Sequence, residues 1–299
     1  DSAIANKSID YAGSSAIDPW IIHTVKFRKL YNDALNGVSI VSKVIAPEAD
    51  LKTEKDFLVV ENAESLLILT NVRLFKYNEP INTDQIKDEL NAITTDYDLL
   101  LANHKKIHSE MYNRMTFSLG SKNVELKDED TKQVNLSDSV SLDRIVNIFN
   151  ACRYEMISST GKLPPTLQGI WGGTWRPAWS SDFTQDGNVQ AVITGGLSCN
   201  YFEVTRAYLD YMSELLPDFR NNAKEIFNAR GIWIPSRTSE HGQILHFNKG
   251  FPGLFWMAGA AWVAQFYYDY WKYTEDSVFL EKQAIPFMLE AARFYEDYL

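Results

Sequence analysis

The stretch that decides the fold runs from Leu142 to Asn188, "LDRIVNIFNACRYEMISSTGKLPPTLQGIWGGTWRPAWSSDFTQDGN". Its first third has a helical period. Leu142, Ile145, Val146, Ile148, Phe149, Cys152 and Met156 recur at steps of three and four, which predicts a helix over 141–159. Pro, Gly and Ser then punctuate 161–188 and predict a long loop. In that loop Trp171, Trp175 and Trp179 stand four residues apart, with Gln168 just ahead of them. Two readings stay open for these rings. They stack on the apolar faces of sugars while nearby amides and carboxylates bond the hydroxyls, or they pin the loop onto the helices beneath it. Asp182, Asp186, Asn188 and Gln190 follow at even spacing. In an extended segment such residues share a face, so the four are expected to line one wall of a pocket. Isolated surface polarity is the alternative.

Outward from this loop, helical patterns fill 189–213 and 217–229, with Gly231 as the expected stop. A second loop, 232–252, carries Arg237, Glu240, His241, His246 and Asn248. Glu240 beside His241 is an acid–base candidate, against a plain surface glutamate. Helices are expected again over 253–273 and 276–299. They are apolar around much of their circumference and need partners on several sides. The last one reaches Leu299 without a terminator, which reads as a fragment of a larger protein. Towards the other end, "WIIHTVKFRKL", "GVSIVSKVIA", "DFLVVENA" and "SLLILTNVRLF" read as strands. From Thr83 an amphipathic helix, capped by Thr83 or Asp84, is expected to continue towards Arg114. Residues 115–138 read as a strand or two and a charged loop. The expected divisions are thus 1–80, 81–138 and 139–299.

The bulk composition narrows the function classes. The chain has 299 residues, is 45% hydrophobic and 13% aromatic, and carries a net charge of −10. That is ample for a large core, and the acidic balance argues against nucleic acid or an anionic membrane as partner. The most apolar run, "GLFWMAGAAWVAQFYYDYW", is interrupted by Gln265 and Asp269 and is too short and polar to span a bilayer. Cys152 and Cys199, the two cysteines, are read as buried thiols rather than a disulfide or metal pair. Neither Cys-x-x-Cys nor His-Glu-x-x-His occurs, so no metal and no cofactor is expected. No signal peptide is visible, and the start "DSAIANKSIDY" lacks a methionine, as in a trimmed product.

From about His104 onwards the chain resembles glycoside hydrolase family 95, the inverting α-L-fucosidases and their α-L-galactosidase relatives. The matching words are the quoted stretch, "NARGIWIPSRTSEHG" and the run from Phe255 to Leu299. The resemblance implies a partial (α/α)6 barrel, the first portion of a catalytic domain, preceded by the end of a β-sandwich and linker helices. It implies a glycan substrate, the remainder of a parent chain as partner, and a periplasmic or extracellular setting. In the family an Asn-x-Asn pair holds the attacking water, polarised by an aspartate from later in the barrel. A glutamate, also from later in the barrel, is the general acid.

Residue by residue, the pair falls on Asp186 and Asn188, so the first asparagine has become an aspartate. The next polar residue falls on Gln190. The family's Met-Asn-Tyr-Trp becomes "AVIT" (Ala191–Thr194), and its Asn-Thr-Asp region becomes "RTSEHG". Asp186 is therefore the expected base and Asn188 the residue that orients water. Glu240 is expected to bind first and catalyse second, with Gln168, the three tryptophans, Asp182, Gln190, Arg237, His241 and His246 as substrate contacts. Three functions follow as alternatives: an α-L-fucosidase-like or α-L-galactosidase-like hydrolase, a sugar-binding homologue that has lost catalysis, or another (α/α)-barrel carbohydrate enzyme. A phosphorylase would need a phosphate-binding cluster, and the loops offer Arg176, Arg237 and Lys249. A lyase acting on a uronate fits poorly with the acidic balance.

Overall fold

A computed structural model describes residues 9–29, 35–76, 78–119, 142–172, 174, 177–244 and 255–299. The chain divides into two compact units, 1–106 and 107–299. The first is built on strands and the second is helical, so the molecule is mainly α with an N-terminal β part.

In the first unit, β1 (Ile9–Ile17), β2 (Trp20–Phe27), β3 (Leu35–Ile45) and β6 (Leu67–Lys76) form an antiparallel sheet in the order β1-β2-β3-β6. A separate hairpin joins β4 (Asp50–Glu54) to β5 (Phe57–Glu61). The four runs read as strands all fall on strands. β1 and β4 add to them; "IDYAGSSAI" and "DLKTE" lack the β-branched alternation that marks a strand. Helix α1 (Thr83–Asn91) buries Ile86 and Leu90 against Val41 and Phe75 on the sheet. Its cap is Asn82 rather than Thr83 or Asp84, because the Asn82 carboxamide oxygen accepts from the amides of Asp84 and Gln85. The expected long helix is broken in two. α1 ends at Asn91, and α2 (Tyr97–Tyr112) restarts where the Asp96 carboxylate accepts from the Leu99 amide at 3.1 Å. The strand-and-loop reading of 115–138 falls mostly outside the described residues.

The second unit runs from the end of α2 through α3 (Leu142–Ser159), α4 (Asn188–Ile193), α5 (Gly195–Ser198), α6 (Phe202–Glu214), α7 (Leu216–Phe227), α8 (Gly259–Thr274), α9 (Ser277–Phe279) and α10 (Ile285–Tyr298). Its core includes Tyr201, Tyr208, Phe219, Tyr267, Phe279 and Phe287. α7 is stopped by Asn228, which adopts the left-handed conformation, and not by Gly231 three residues further on. Between α9 and α10 the backbone makes one wide π turn, Leu280–Ala284. Pro286, in the first turn of α10, lacks the N–H that an unbroken α-helix would send back to residue 282. Phe279 and Phe287, on either side of that turn, both stack on Tyr267, at 5.8 and 4.2 Å. Cys199 is buried as expected, but Cys152 is exposed because its position on α3 faces outward. No helix among the described residues is long and apolar enough to cross a membrane.

Arg153 ties α2, α3 and α6 together. It is 4% exposed, and its Nε donates to the Tyr201 hydroxyl at 2.8 Å while Nη1 donates to Asn150 Oδ1 at 2.8 Å. Nη2 donates to the carbonyls of Tyr112 and Met115. The guanidinium also lies 4.2 Å from the centre of the Tyr112 ring. A buried cation is tolerated when its donors find acceptors, and here four hydrogen bonds to carbonyl, amide and phenol oxygens replace a carboxylate. Arg153→Met keeps the volume and strands these acceptors, each at about 1–3 kcal/mol. Relief of the buried charge offsets part of this, and urea unfolding is expected to show a net loss of about 3 kcal/mol or more. A loss below about 1 kcal/mol would mean that water replaces the guanidinium at no great cost.

Candidate active site

Two short strands bring the two loops together. β7 (Phe183–Thr184) pairs with β8 (Arg237–Thr238), with Phe183 opposite Thr238 and Thr184 opposite Arg237. Two rungs alone hold little, and a buried polar cluster beneath them does the rest. The Gln185 amide donates to the Ser236 carbonyl at 2.7 Å, and its side-chain Nε2 donates to Thr238 Oγ1 at 3.0 Å. Tyr208 on α6 donates its hydroxyl to Gln185 Oε1 at 2.8 Å. Gln190 Nε2 donates to the Gln185 carbonyl at 2.7 Å and to the Tyr208 hydroxyl at 3.1 Å. Tyr211 donates to the Ser239 carbonyl at 2.6 Å and also lies 2.8 Å from Thr238 Oγ1. Gln185 and Gln190 are both fully buried. These bonds tie the first loop and α4 to the second loop and to α6, so the rim is fixed against the helical core.

The chain does not stay extended after β7. Gly187 sits at φ 133°, outside the range of L side chains, and turns the backbone into α4, with Asn188 as its first residue. This separates the four evenly spaced polar residues. Asp186 and Asn188 are exposed and line a cavity of about 290 Å³ together with Leu167, Trp179, Thr184 and Arg237. Gln190 turns inward to the cluster described above, so it is not on the pocket wall. Asp182 lies behind that wall, its side chain 5% exposed and ion-paired with Arg237 at 2.5 Å.

Trp179 is 65% exposed and stands on a strained turn. Trp179, Ser180 and Ser181 have φ of 55, 62 and 49°, left-handed values that cost roughly 1–3 kcal/mol each for such residues. The turn is held from two sides. Gln168 Nε2 donates to the Ala178 carbonyl at 2.9 Å, Thr166 and Ser181 share a hydroxyl–hydroxyl bond of 2.9 Å, and the Leu167 amide donates to the Asp182 carbonyl at 3.0 Å. From the other loop, Arg237 Nη2 donates to the Trp179 carbonyl. Strain retained by so many ties is a mark of functional sites.

The electrostatics single out Asp186. Although part of the side chain reaches solvent, its partial enclosure in the cavity raises the carboxyl pKa above the ordinary value, and the negative charge of Asp182 adds to the rise. Its own backbone hydrogen bond and the Arg237 guanidinium oppose it. A carboxylate raised in this way holds a proton more readily than a free one, as a general base must.

The other predicted residues are placed differently. Gln168 and Trp171 line an adjoining groove of about 490 Å³ that shares Leu167 with the Asp186 cavity. Glu240, with a side chain 45% exposed, is not among the residues lining the cavity, and its Oε1 is 3.9 Å from His241 Nε2. Trp175, His246, Arg176 and Lys249 lie outside the described residues. Among the described residues no group of three or more His, Cys, Asp or Glu side chains is placed to hold a metal ion. Sequence reasoning missed Gln185, Tyr208, Tyr211 and Thr238. They carry no chemical signature, and only Gln185, wedged between Thr184 and Asp186, stood close enough to a candidate to be suspected.

Comparison with known proteins fits this geometry. Residues 96–299 match the glycosyl hydrolase family 95 catalytic domain. The chain is 29% identical over 219 residues to a probable alpha-fucosidase A of Aspergillus niger, covering 69% of the chain and 26% of that protein. It is 27% identical over 259 residues to alpha-L-fucosidase 2 of Arabidopsis thaliana, covering 81% of the chain and 31% of that protein. The chain thus spans less than a third of the length of these relatives. With well over half of its residues inside the family match, the chain belongs to glycosyl hydrolase family 95, through that family's catalytic domain.

Proposed function

We propose that the protein is an exo-acting glycoside hydrolase that removes a terminal α-L-fucose or a related sugar such as α-L-galactose, with inversion. The observation that carries this reading is the 290 Å³ cavity where Asp186, Asn188, Trp179 and Arg237 meet from two loops. Its size, at the lower end of the roughly 300–1,000 Å³ of small-molecule sites, suits a single sugar ring. Both curated relatives bear fucosidase names. Residues 139–299 are then the first portion of an (α/α)6 catalytic barrel, 81–138 the linker, and 1–80 the end of a β-sandwich. Periplasmic or extracellular glycans are the natural substrates of such an enzyme.

Inversion needs a base to activate water on one face of the sugar and an acid to protonate the leaving oxygen on the other. The two carboxyl groups stand about 6.5–9.5 Å apart to admit the water. Asp186 takes the proton from a water molecule oriented by the Asn188 carboxamide, and the water oxygen bonds to the anomeric carbon as the glycosidic bond breaks. Arg237 opposes the rise in the Asp186 pKa, and the exposed Trp179 ring offers a stacking face. Among the described residues lining the cavity Asp186 is the one carboxylate, so a group from elsewhere in the protein supplies the acid. A sugar-binding homologue without catalysis is the second reading, favoured by the position of Glu240 away from the cavity.

The decisive measurement is the pH profile of kcat/KM on aryl α-L-fucosides and α-L-galactosides with the full-length protein. In the wild type the acidic limb is expected at higher pH than an unperturbed aspartate would give, because activity requires Asp186 ionised and its pKa is raised. Asp186→Asn is expected to remove that limb and lower kcat by about 10²–10⁴-fold; an unchanged kcat across pH would exclude Asp186 as the base. No turnover of any aryl glycoside by the wild type would favour the binding homologue.

The same shift fixes the sign of a stability effect. A carboxyl whose folded pKa is raised binds its proton more tightly in the folded state, so stability falls as pH rises through the window between the two pKa values. Asp186→Asn removes that loss. Its melting temperature at pH 7 is expected to equal or exceed the wild-type value, with the difference vanishing below the ordinary aspartate range. A lower Tm at pH 7 would mean that the carboxylate is held by contacts stronger than its desolvation.

Arg237→Met removes an influence that lowers the Asp186 pKa. The acidic limb is expected to move to higher pH. Movement to lower pH would show that Arg237 acts on the rate through another group.

A further inference from the structure

We propose that Asp182, hidden behind the cavity wall, is a positioning residue of the reaction: it draws the Arg237 guanidinium to itself and so keeps that cation from pairing with Asp186. This rests on reading Asp186 as the general base.

The register of the two loops sets up the choice. Arg237 on β8 stands opposite Thr184 on β7. Residues at alternate positions of an extended segment share a face, so Asp182 lies two residues to one side of Thr184 and Asp186 two residues to the other. Diagonal neighbours of this kind are within reach of a long side chain. One guanidinium is thus offered two carboxylates, and it takes Asp182. Its Nη2 lies 2.5 Å from Asp182 Oδ2, whereas Arg237 and Asp186 line the same cavity without forming an ion pair.

Burial decides between the two. The Asp182 side chain is 5% exposed. An enclosed carboxylate without a counter-charge is costly, so it holds the cation more strongly than a carboxylate that reaches solvent. Asp186 is exposed and keeps part of its hydration. Three further contacts fix the arrangement. The Thr184 hydroxyl donates to Asp182 Oδ1 at 3.2 Å, the Leu167 amide donates to the Asp182 carbonyl at 3.0 Å, and Arg237 Nη2 donates to the Trp179 carbonyl.

The consequence is chemical. A guanidinium closed onto Asp186 would weaken it as a base and compete with water for its oxygens. With Asp182 in place, Asp186 meets the field of an ion pair instead of that of a bare cation. Enclosure raises its pKa, the cation lowers it, and the charge of Asp182 raises it again. Among the described residues these are the two charged side chains that act on Asp186. Its other neighbours are uncharged: Asn188 on α4, and Trp262 on α8, which lies against Gly187.

The test is Asp182→Asn in the full-length protein, which keeps the shape of the side chain and removes its charge. The readout is the pH profile of kcat/KM on aryl α-L-fucosides and α-L-galactosides. Arg237, released from Asp182, turns to Asp186, so the acidic limb is expected at lower pH than in the wild type. kcat is expected to fall by less than about 10²-fold, the least that removal of a general base costs, because the base is weakened and not lost. A limb that stays in place or moves to higher pH overturns the proposal, since a merely structural aspartate would change Tm or kcat without moving it. Should Asp182→Asn fail to fold, Asp182→Glu keeps the charge and pushes the guanidinium towards the cavity. Its limb is also expected at lower pH, and an unmoved or raised limb overturns the proposal. If the wild type cleaves none of these glycosides, the reading of Asp186 as base fails, and the pairing is read from stability alone. The Tm difference between Asp186→Asn and its parent at pH 7 is then expected to favour the variant less in the Asp182→Asn background than in the wild type. An undiminished difference overturns the pairing.

Discussion

The site depends on the pairing of two dipeptides, Phe183–Thr184 and Arg237–Thr238. A two-rung ladder between loops more than fifty residues apart in sequence cannot persist on backbone bonds alone, since closing such a loop costs more entropy than two bonds return. Gln185 resolves this. Its amide, carbonyl, Oε1 and Nε2 are all used, and its partners lie on the second loop, on α4 and on α6. A buried network in which nearly every donor has one defined acceptor specifies a single arrangement. The separation between Asp186 and Arg237 is therefore set by Gln185 and Tyr208, neither of which lines the cavity.

Arg237 links this frame to the chemistry. One guanidinium nitrogen serves both the buried Asp182 and the carbonyl of the strained Trp179. The same cation acts on Asp186 through space. The tryptophan turn, the buried ion pair and the candidate base are thus mechanically and electrostatically coupled, and a change in one is felt by the others.

The sequence made the elements of the second unit legible because their periodicity is strong. Ile145, Phe149, Cys152 and Met156 mark α3, and the punctuation by Gly, Pro and Ser marks both loops. What was lost are events in which one residue overrides a local rule. Gly187 turns an apparently extended run into a helix, which moves Gln190 from the pocket wall to the core. Asn228 and Asn82 take capping roles that Gly231 and Thr83 seemed placed to fill, the first through a left-handed backbone and the second through its side chain, neither of which spacing encodes. The break between α1 and α2 followed from Asp96 capping a new helix in a run whose apolar period continues. At the site, the residues that line the cavity were visible as chemistry, whereas Gln185, Tyr208 and Thr238 were invisible because their work is to hold others in place.

The π turn at Leu280–Ala284 bears on how this part of the fold can vary. Phe279 and Phe287 are eight residues apart. At about 100° per residue an unbroken α-helix would set them about 80° from each other. The wide turn absorbs one residue, so they behave as if seven apart, within about 20°, and both rings reach Tyr267. The segment is in effect an α-helix carrying one inserted amino acid, tolerated because the bulge took up the phase error before it reached the core. A shorter chain without that insertion would keep the same aromatic stack on an ordinary helix, so length variation at this point leaves the packing of the helical unit intact.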